Sequence, residues 1–499
     1  MKKIIQSREA YLLYCFLLTL LFGFWPIEGF DAWWHLAGGL WSLDNHAVPL
    51  KEFFSFTRGG APWLNHEWGA GVFFALFTLV FGGFGLVVLK LLLLFGTLYL
   101  TGRSVQLLSV SKRIPYEALF VTAFLLLPRL QNRPHLFSCF FLAILIHEMI
   151  VLERGQLSRI RWALLAVVFL VWTNVHWGVL LAFGLLGLFT LGKWIESKKF
   201  PSSLSCLVLV AALMMLANPF TYQVFTFPFD HLEMRNIMQG TMEWRSPLHM
   251  PWRGQWAYQV LFVLMLLNWF LVLLKTYRFQ FSRTLIFLPV TYLALAHNRY
   301  IDLFVLTCLP FICQRLEEKA GRIPRLLGQM VFAVALLVAL IWHGCKITRW
   351  MRDDFAKSGW VAPAYNFSHG SAFIADNFRY DHVFHHFELG GYLMLEGVKV
   401  FMDGRTPIYG DEFFGEYLRA LNEWPVFQNL VADWDIGVVW LIYPYQETNL
   451  PYQLIQSGNW VPVYKDDLSI IFIDKRSSHA DILKKTENGK KLFSAASQP

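Results

Sequence analysis

The sequence predicts a polytopic α-helical membrane domain followed by a small α/β domain that folds in water. Hydrophobic residues make up 56% of the 499 residues, charged residues make up 16%, and the mean hydropathy is +0.43. The apolar residues come in blocks of nearly membrane-spanning length, whereas soluble helices and strands show shorter periodic stripes. Beyond residue 345 these blocks give way to short β-rich runs. We therefore expect one large membrane domain, residues 1–345, and a separate C-terminal domain.

The first apolar run extends from Ala10 to Ile27 and follows the basic residues Lys2, Lys3 and Arg8. A basic segment before an apolar one is typical of a signal peptide, but no small-residue cleavage site follows it here. We expect a retained first helix with a cytoplasmic N-terminus.

Further apolar runs complete the predicted membrane domain. They are Gly69–Leu100, Pro115–Leu127, Leu136–Leu152, Trp162–Val171, Val179–Trp194, Leu204–Leu216, Ala257–Leu274, Leu285–Ala296, Ile301–Cys313 and Leu326–Trp342. Several are shorter than the roughly 20 residues that a crossing needs, so flanking aromatic residues would have to complete them. The total is about eleven crossings. The first of these runs is long enough for a hairpin, but the alternation of loops allows only one crossing there, with a short interfacial helix.

The loops fall into two classes by charge. The basic loops, which we expect in the cytoplasm, contain Arg103, Lys112 and Arg113, then Arg154, Arg159 and Arg161, then Lys193, Lys198 and Lys199, then Lys275, Arg278 and Arg283, and finally Arg315, Lys319 and Arg322. The other loops are rich in aromatic and amide residues and should face outward: 28–68, 129–135, 173–178, 218–255 and 297–300. This parity places the C-terminal domain outside the cytoplasm.

The C-terminal domain, residues 346–475, has the pattern of a small α/β fold. Strands are expected at Val383–Phe387, Val398–Met402, Gly437–Tyr443 and Leu468–Asp474, and a helix at Asp411–Glu423. Residues 476–499 are expected to form a charged, disordered tail.

Charge and cysteine content argue against a nucleic-acid-binding protein and against a metal site built from cysteines. The formal net charge is +8, but the basic residues lie in short loops where they orient crossings, so no nucleic-acid partner is expected. The six cysteines show no metal-ligand spacing, and the C-terminal domain has none.

The first outer loop, 28–68, gathers carboxylates and imidazoles that could carry chemistry. The candidates for catalysis are Glu28, Asp31, His35, His66 and Glu67. Asp31 and His35 are four residues apart and would share one face of a helix. A carboxylate beside an imidazole suits general-base chemistry or weak metal coordination.

Several short motifs occur in a characteristic order along nearly the whole chain. They are Asp31-x-Trp33-Trp34-His35-Leu36, Phe54-Ser55-Phe56-Thr57, His66-Glu67-Trp68, Asn132-Arg133-Pro134-His135, Asn174-x-His176-Trp177-Gly178, Asn218-Pro219-Phe220, Glu243-Trp244, Arg299, Gly390-Gly391-Tyr392 and Asp403-Gly404-Arg405. In these motifs the sequence resembles the GT-C superfamily of membrane glycosyltransferases, and in particular its bacterial members.

The resemblance implies an inverting transferase in the bacterial cytoplasmic membrane. Such an enzyme moves a sugar from a polyprenyl-phosphate carrier to a lipid or glycan acceptor at the outer face. An acidic residue of the first outer loop, here Asp31, would be the base, and Arg133, His135 and Arg299 would stabilise the phosphate. Many GT-C enzymes have two acidic residues close together in this loop, whereas here the partner of Asp31 is Glu28 or the distant Glu67. No cofactor is therefore certain, and a divalent metal stays open.

Other candidates for substrate binding have structural alternatives. His176 suits a polar network between helices, and Glu243 with Trp244 could cradle a sugar or anchor an aromatic belt. Asp403 and Arg405 follow a predicted strand, where a ligand-binding loop or a turn with an internal ion pair are both expected.

Two other functions compete with glycosyl transfer. A lipid or glycan transporter, or flippase, should have ionisable residues in mid-membrane and repeated halves. Charges are nearly absent from the centres of the apolar runs, with Lys90, His147, Glu148 and Asp302 as the exceptions, and the two halves do not match. The third candidate is a non-catalytic envelope-assembly protein whose outer domain recruits partners.

Overall fold

The computed structural model of the chain describes residues 7–111, 113–226, 229, 234–240, 242–249, 256–273, 280–319, 322–444 and 448–476. The chain divides into two compact units. The helical unit consists of Met1–Ile27, Leu76–Thr226 and Thr241–Trp360, and the sheet unit of Glu28–Ala75, Phe227–Gly240 and Val361–Pro499. The first outer loop and the C-terminal region therefore belong to one compact unit.

Helices dominate the described residues. In chain order they are α1 (Arg8–Gly23), α2 (Asp31–Asn45), α3 (Trp68–Phe81), α4 (Gly85–Leu108), α5 (Tyr116–Leu126), α6 (His135–Arg154), α7 (Arg159–Val175), α8 (Gly178–Ser197), α9 (Ser202–Met215), α10 (Arg235–Gly240), α11 (Trp256–Leu273), α12 (Phe281–Ala296), α13 (Ile301–Lys319), α14 (Arg322–Arg349), α15 (Phe355–Ser358), α16 (Ser368–Asn377), α17 (Gly390–Leu395), α18 (Thr406–Tyr409), α19 (Asp411–Ala420), α20 (Trp424–Trp434) and α21 (Leu450–Ser457). Every apolar run predicted from the sequence overlaps at least one helix.

The membrane class is confirmed by the length and hydropathy of these helices. Four helical stretches in the described part of the chain can cross a membrane by length and composition: Trp68–Leu108, His135–Arg154, Gly178–Ser197 and Gln329–Ser358. Shorter apolar helices lie at Ser202–Met215, Tyr258–Phe270 and Phe281–Ala296. The count of about eleven crossings stays a prediction.

The long apolar run after the first outer loop is interrupted in its middle. A 3₁₀ turn, Gly82–Phe84, separates the 14-residue α3 from the 24-residue α4. Gly82 has φ +60°, and a Cβ added to Gly85 would lie 2.2 Å from the carbonyl oxygen of Phe77, so the chain turns sharply here. At 1.5 Å per residue α4 is about 36 Å long and α3 about 21 Å, against a hydrocarbon core of about 30 Å. Whether this segment crosses once stays a prediction.

The basic loops meet at one end of the helical unit. The carboxylate of Glu317, near the end of α13, accepts hydrogen bonds from the backbone amides of Val110 (3.2 Å) and Ser111 (3.1 Å), which follow α4. Near the junctions of α6 with α7 and α8 with α9, Lys193 Nζ lies 2.5 Å from Glu153 Oε1. We call this the basic end.

The loops rich in aromatic and amide residues meet at the opposite end. Asn132, between α5 and α6, donates a hydrogen bond to the carbonyl of Leu86 at the start of α4 (2.7 Å). His297, between α12 and α13, donates through Nδ1 to the carbonyl of Trp244 (2.7 Å). The helical unit thus sorts its loops into the two groups that their charges predict.

The sheet unit contains a mixed four-stranded sheet in the order β1-β2-β4-β3. The strands are β1 (Val383–His385), β2 (Val438–Ile442), β3 (Trp460–Lys465) and β4 (Ser469–Asp474). β1 is parallel to β2, and β4 is antiparallel to both β2 and β3. Fully buried aromatic side chains form its core, among them Phe384, Phe401, Tyr417, Phe427 and Phe472.

One predicted strand is wrong and another was not predicted. Val398–Met402 does not join the sheet, because its central residue, Val400, exchanges backbone hydrogen bonds with Phe54 and Phe56 of the first outer loop (2.9 and 3.1 Å). Strand β3 was missed because Pro462 lies inside it, and proline usually argues against a strand. The predicted tail lies outside the described residues except for Arg476.

Candidate functional site

Asp31 stands at the first position of α2. Gly29, with φ +94°, allows the chain to turn into this helix, and Glu28 precedes that turn. A carboxylate in the first turn interacts favourably with the helix dipole. Asp31 Oδ1 also lies 3.4 Å from the indole Nε1 of Trp34, a long hydrogen bond from the next turn.

The other acid and the two imidazoles of the first outer loop come together. Glu67 lies between two histidines: His35 Nε2 is 3.5 Å from its Oε2, and His66 Nε2 is 3.7 Å from its Oε1. The His35 side chain is 3% exposed and Glu67 is 15% exposed. The ring of His35 also contacts the ring of Trp34, with centroids 3.4 Å apart and planes tilted by 31°. This carboxylate can orient both imidazoles, and the indole links His35 to Asp31.

The Asp403-Gly404-Arg405 turn lies against Asp31. A Cβ added to Gly404 would be 3.0 Å from Asp31 Oδ1 and 2.8 Å from Trp34 Nε1. Only glycine therefore fits this approach without a shift of its neighbours. Two motifs that were singled out separately in the sequence meet within the sheet unit.

Asp403 and Arg405 form a buried ion-pair cluster with Glu52 and Tyr409. Asp403 Oδ1 accepts from Arg405 Nε at 2.8 Å, and its Oδ2 accepts from Arg405 Nη2 at 2.5 Å and from the Tyr409 hydroxyl at 2.8 Å. Arg405 Nη1 also donates to Glu52 Oε2. The guanidinium lies 4.4 Å from the ring centre of Trp63. We call Glu52, Asp403, Arg405 and Tyr409 the buried clamp.

Burial and charge act in opposite directions on the pKa of Asp403, and in the same direction on the pKa of Tyr409. Burial alone would raise the pKa of Asp403, but the adjacent Arg405 guanidinium outweighs it and holds that pKa below its usual range. Burial and the neighbouring Asp403 carboxylate raise the pKa of Tyr409. Each side-chain nitrogen and oxygen of the buried clamp has a hydrogen-bond partner within the sheet unit, so these contacts support the structural alternative for Asp403 and Arg405.

The predicted phosphate-binding and sugar-binding residues of the helical unit gather at the end opposite the basic end. Arg133 Nη1 forms an ion pair with Glu243 Oε1, and Arg129 Nη1 lies 3.5 Å from the same oxygen. The Arg299 guanidinium stacks 4.3 Å above the ring of Trp244. We call Arg129, Arg133 and Arg299 the arginine cluster. Arg129 and Arg133 lie in the loop between α5 and α6, and Arg299 lies in the loop between α12 and α13. Glu243-Trp244, from a third loop, contacts all three arginines.

The two other predicted histidines make contacts at the ends of helices. His135 begins α6, is buried, and donates through Nε2 to the carbonyl of Arg129 (2.5 Å). The Nδ1 of His176 accepts from Ser138 Oγ (2.7 Å) and from the amide of Gly178 (3.0 Å), the first residue of α8. His176 therefore joins α6 to the start of α8, the polar network that was the alternative to substrate binding.

Sequence reasoning missed Arg129, Glu52 and Tyr409. Arg129 had a signal, because a basic residue in a loop that should face outward departs from the positive-inside rule. Glu52 had no signal in the sequence, because its partner Arg405 is 353 positions away. In the described part of the chain, no group of three His, Cys, Asp or Glu side chains is arranged to hold a metal ion.

Comparison with known proteins bears on the fold. No protein-family model and no curated protein matches the sequence. Solved membrane glycosyltransferases of the GT-C type do match the structure, and the chain has their fold.

These neighbours include two oligosaccharyltransferase structures and one ArnT structure. The archaeal oligosaccharyltransferase AglB of Archaeoglobus fulgidus, in complex with an inhibitory peptide and a dolichol-phosphate, matches with a TM-score of 0.58 and 11% identity over 87% of this chain and 69% of its own. An Archaeoglobus fulgidus oligosaccharyltransferase tethered to an acceptor peptide by a disulfide bond matches with a TM-score of 0.61 and 10% identity over 87% of this chain and 68% of its own. ArnT of Cupriavidus metallidurans in the apo state matches with a TM-score of 0.50 and 10% identity over 93% of this chain and 96% of its own.

Proposed function

We propose that the chain is a membrane glycosyltransferase that moves a sugar from a polyprenyl-phosphate carrier to a lipid or glycan acceptor. The observation that carries the proposal is the arginine cluster, which comes from two loops at one end of the helical unit and is contacted by Glu243-Trp244 of a third loop. The fold supports it, because AglB, which shares that fold, was solved with dolichol-phosphate, a lipid phosphate. The outer membrane face, the cytoplasmic N-terminus and the extracytoplasmic C-terminal domain belong to the same proposal.

The arginine cluster suits the leaving group of this reaction. When the bond between the anomeric carbon and the phosphate oxygen breaks, negative charge develops on the departing polyprenyl phosphate. Guanidinium groups bind phosphate oxygens in a fixed, often bidentate geometry and can stabilise that charge. Arg129 and Arg133 would contact the phosphate, with Arg299 held beside them by Trp244.

Asp31 is the proposed base. Its carboxylate would take the proton of the acceptor hydroxyl while the acceptor oxygen attacks the anomeric carbon from the side opposite the phosphate, which inverts the configuration. Trp34 donates a long hydrogen bond to this carboxylate, and Gly404 packs close against it. His35, His66 and Glu67 are proposed as positioning residues, because they reach Asp31 through Trp34.

The experiment compares cell-envelope glycans by mass spectrometry in a deletion strain carrying the wild-type chain, Asp31→Asn or Asp44→Asn. Asp44 is a matched control because it lies on the same helix but is exposed. We expect the deletion to remove one sugar substituent, the wild type and Asp44→Asn to restore it, and Asp31→Asn to fail. Full restoration by Asp31→Asn would overturn the assignment of the base.

A further inference from the structure

Glu243 occupies the position between two guanidinium groups. Its Oε1 interacts with Arg133 and lies 3.5 Å from Arg129 Nη1. The Glu243 side chain is 21% exposed, Arg133 is 22% exposed and Arg129 is 8% exposed. A carboxylate and a phosphate present similar oxygen acceptors to guanidinium groups, so Glu243 stands where an anionic ligand of these arginines would stand.

The residue after Glu243 covers the third arginine. Trp244 stacks on Arg299 at 4.3 Å, and its carbonyl accepts a hydrogen bond from His297 at 2.7 Å. The dipeptide Glu243-Trp244 therefore contacts the whole arginine cluster. A shift of this 3₁₀ turn, Met242–Trp244, would expose all three guanidinium groups together.

Arg129 lies between the Glu243 carboxylate and a group of apolar side chains. It lines a small cavity together with the apolar residues Leu93, Leu94, Leu126, Leu130 and Leu136 of the helical unit. Its Nε donates to no acceptor in the part of the chain that the structure describes, although the side chain is almost completely buried. A buried guanidinium with an unused donor is costly, and an anionic oxygen would satisfy it. The Arg129 guanidinium is thus bordered by apolar side chains on one side and by the Glu243 carboxylate on the other.

We propose that Glu243 is an intramolecular competitor for a lipid phosphate, which displaces it from Arg129 and Arg133 on binding. Arg129 and Arg133 then bind the phosphate in place of the Glu243 carboxylate. The carboxylate neutralises the arginines while the site is empty, so a ligand has to carry enough negative charge to replace it. This inference rests on the proposed function in its choice of a polyprenyl phosphate as the natural ligand.

The test measures binding to the purified full-length protein in detergent by isothermal titration calorimetry. The probes are farnesyl monophosphate, as a short lipid phosphate, and inorganic phosphate. The variants are Glu243→Gln, which removes the competing charge but keeps the shape, and Glu148→Gln. Glu148 is a matched control, since its Oε2 pairs with Arg161 at 3.3 Å toward the basic end of the helical unit.

We expect Glu243→Gln to bind farnesyl monophosphate about tenfold more tightly than the wild type, which corresponds to about 1.4 kcal/mol. Glu148→Gln should bind as the wild type does. Unchanged or weaker binding by Glu243→Gln would overturn the proposal. If inorganic phosphate binds as tightly as farnesyl monophosphate, the proposal that the ligand is a lipid phosphate is wrong.

Failure of this inference is distinguishable from failure of the proposed function. Binding needs no sugar transfer, so the titration result is independent of the glycan measurement on Asp31→Asn. Tighter binding by Glu243→Gln in a protein without transfer activity would support the competitor and contradict the transferase. An active transferase in which Glu243→Gln binds farnesyl monophosphate no more tightly than the wild type would support the transferase and contradict the competitor.

Discussion

Removal of Arg405 should destabilise the sheet unit more than removal of any surface charge. In Arg405→Ala the carboxylates of Glu52 and Asp403, whose side chains are 0% exposed, lose the cation that compensates their burial. Breaking a buried ion pair from one side costs about 3–5 kcal/mol, because an uncompensated charge stays buried. The lost packing of the guanidinium on Trp63 and Phe54, at 4.4 and 5.3 Å, acts in the same direction.

The assay is denaturant unfolding of the full chain in detergent micelles, followed by tryptophan fluorescence. The matched control is Arg476→Ala, because Arg476 pairs with Asp474 in the same unit but is 74% exposed. An exposed pair contributes at most about 1 kcal/mol. If the two variants lose equal stability, the buried clamp does not stabilise the unit and the reasoning is refuted.

The pH dependence supplies a second readout of the same variant. The folded-state pKa of Asp403 is lowered, so in the wild type its contribution to stability is present above the unfolded value of about 3.9 and is lost as the pH falls through the lowered folded value. Without Arg405 the buried carboxyl favours its protonated form instead. The stability difference between the wild type and Arg405→Ala should therefore shrink as the pH is lowered from neutral. A difference that grows on acidification would contradict this sign.

Two glycine substitutions test close approaches within the sheet unit. Gly404→Ala would place a Cβ 3.0 Å from Asp31 Oδ1. We therefore expect transfer activity to fall at least tenfold, while the unfolding transition stays nearly that of the wild type. Wild-type activity in this variant would show that the contact does not position the base. Gly39→Ala would place a Cβ 1.9 Å from the carbonyl oxygen of Gly71, and because backbone cannot move aside cheaply we expect a loss of about 2 kcal/mol or more in unfolding free energy. Its control is Gly38→Ala on the same helix, where the nearest atom is a ring carbon of Trp63 at 3.4 Å. Equal stability of the two alanine variants would argue against the tight crossing of α2 and α3.

The helical part of the fold could be predicted because its cause is local. An apolar run of membrane length has to satisfy its own backbone, and a helix does so without partners. Each run therefore became a helix, even the short Leu204–Leu216, which appears as α9. The basic side chains that sort the loops, such as Lys193, are also local signals, and the ion pair of Lys193 with Glu153 shows that two of the basic loops meet.

The sheet unit was less predictable because its partners are distant in sequence. Val398–Met402 has the composition of a strand, but its hydrogen-bonding partner is the segment around Phe54, more than three hundred residues earlier. The same distance hid the pairing of Glu52 with Arg405. The meeting of Gly404 with Asp31 required the folded chain, although the sequence had singled out both motifs.

The candidate residues of the helical unit were identified mainly by their loops. Arg133, Glu243 and Arg299 were each named because their loops should face the same side, and the structure brings those loops together. What the sequence did not indicate is that Glu243 pairs with the arginines, since a carboxylate beside tryptophan suggested a sugar instead. Pairing across 110 positions is a property of the fold alone.

The most direct test of the central claim is donor cleavage by purified protein in proteoliposomes. The vesicles would hold a polyprenyl-phosphate sugar and extracted envelope acceptor, and the released polyprenyl phosphate would be quantified for the wild type, Asp31→Asn and Asp44→Asn. We predict acceptor-dependent release by the wild type and Asp44→Asn, and a rate reduced by a factor of about 10² or more in Asp31→Asn, the contribution expected of a general base. Release by Asp31→Asn at the wild-type rate would contradict the account.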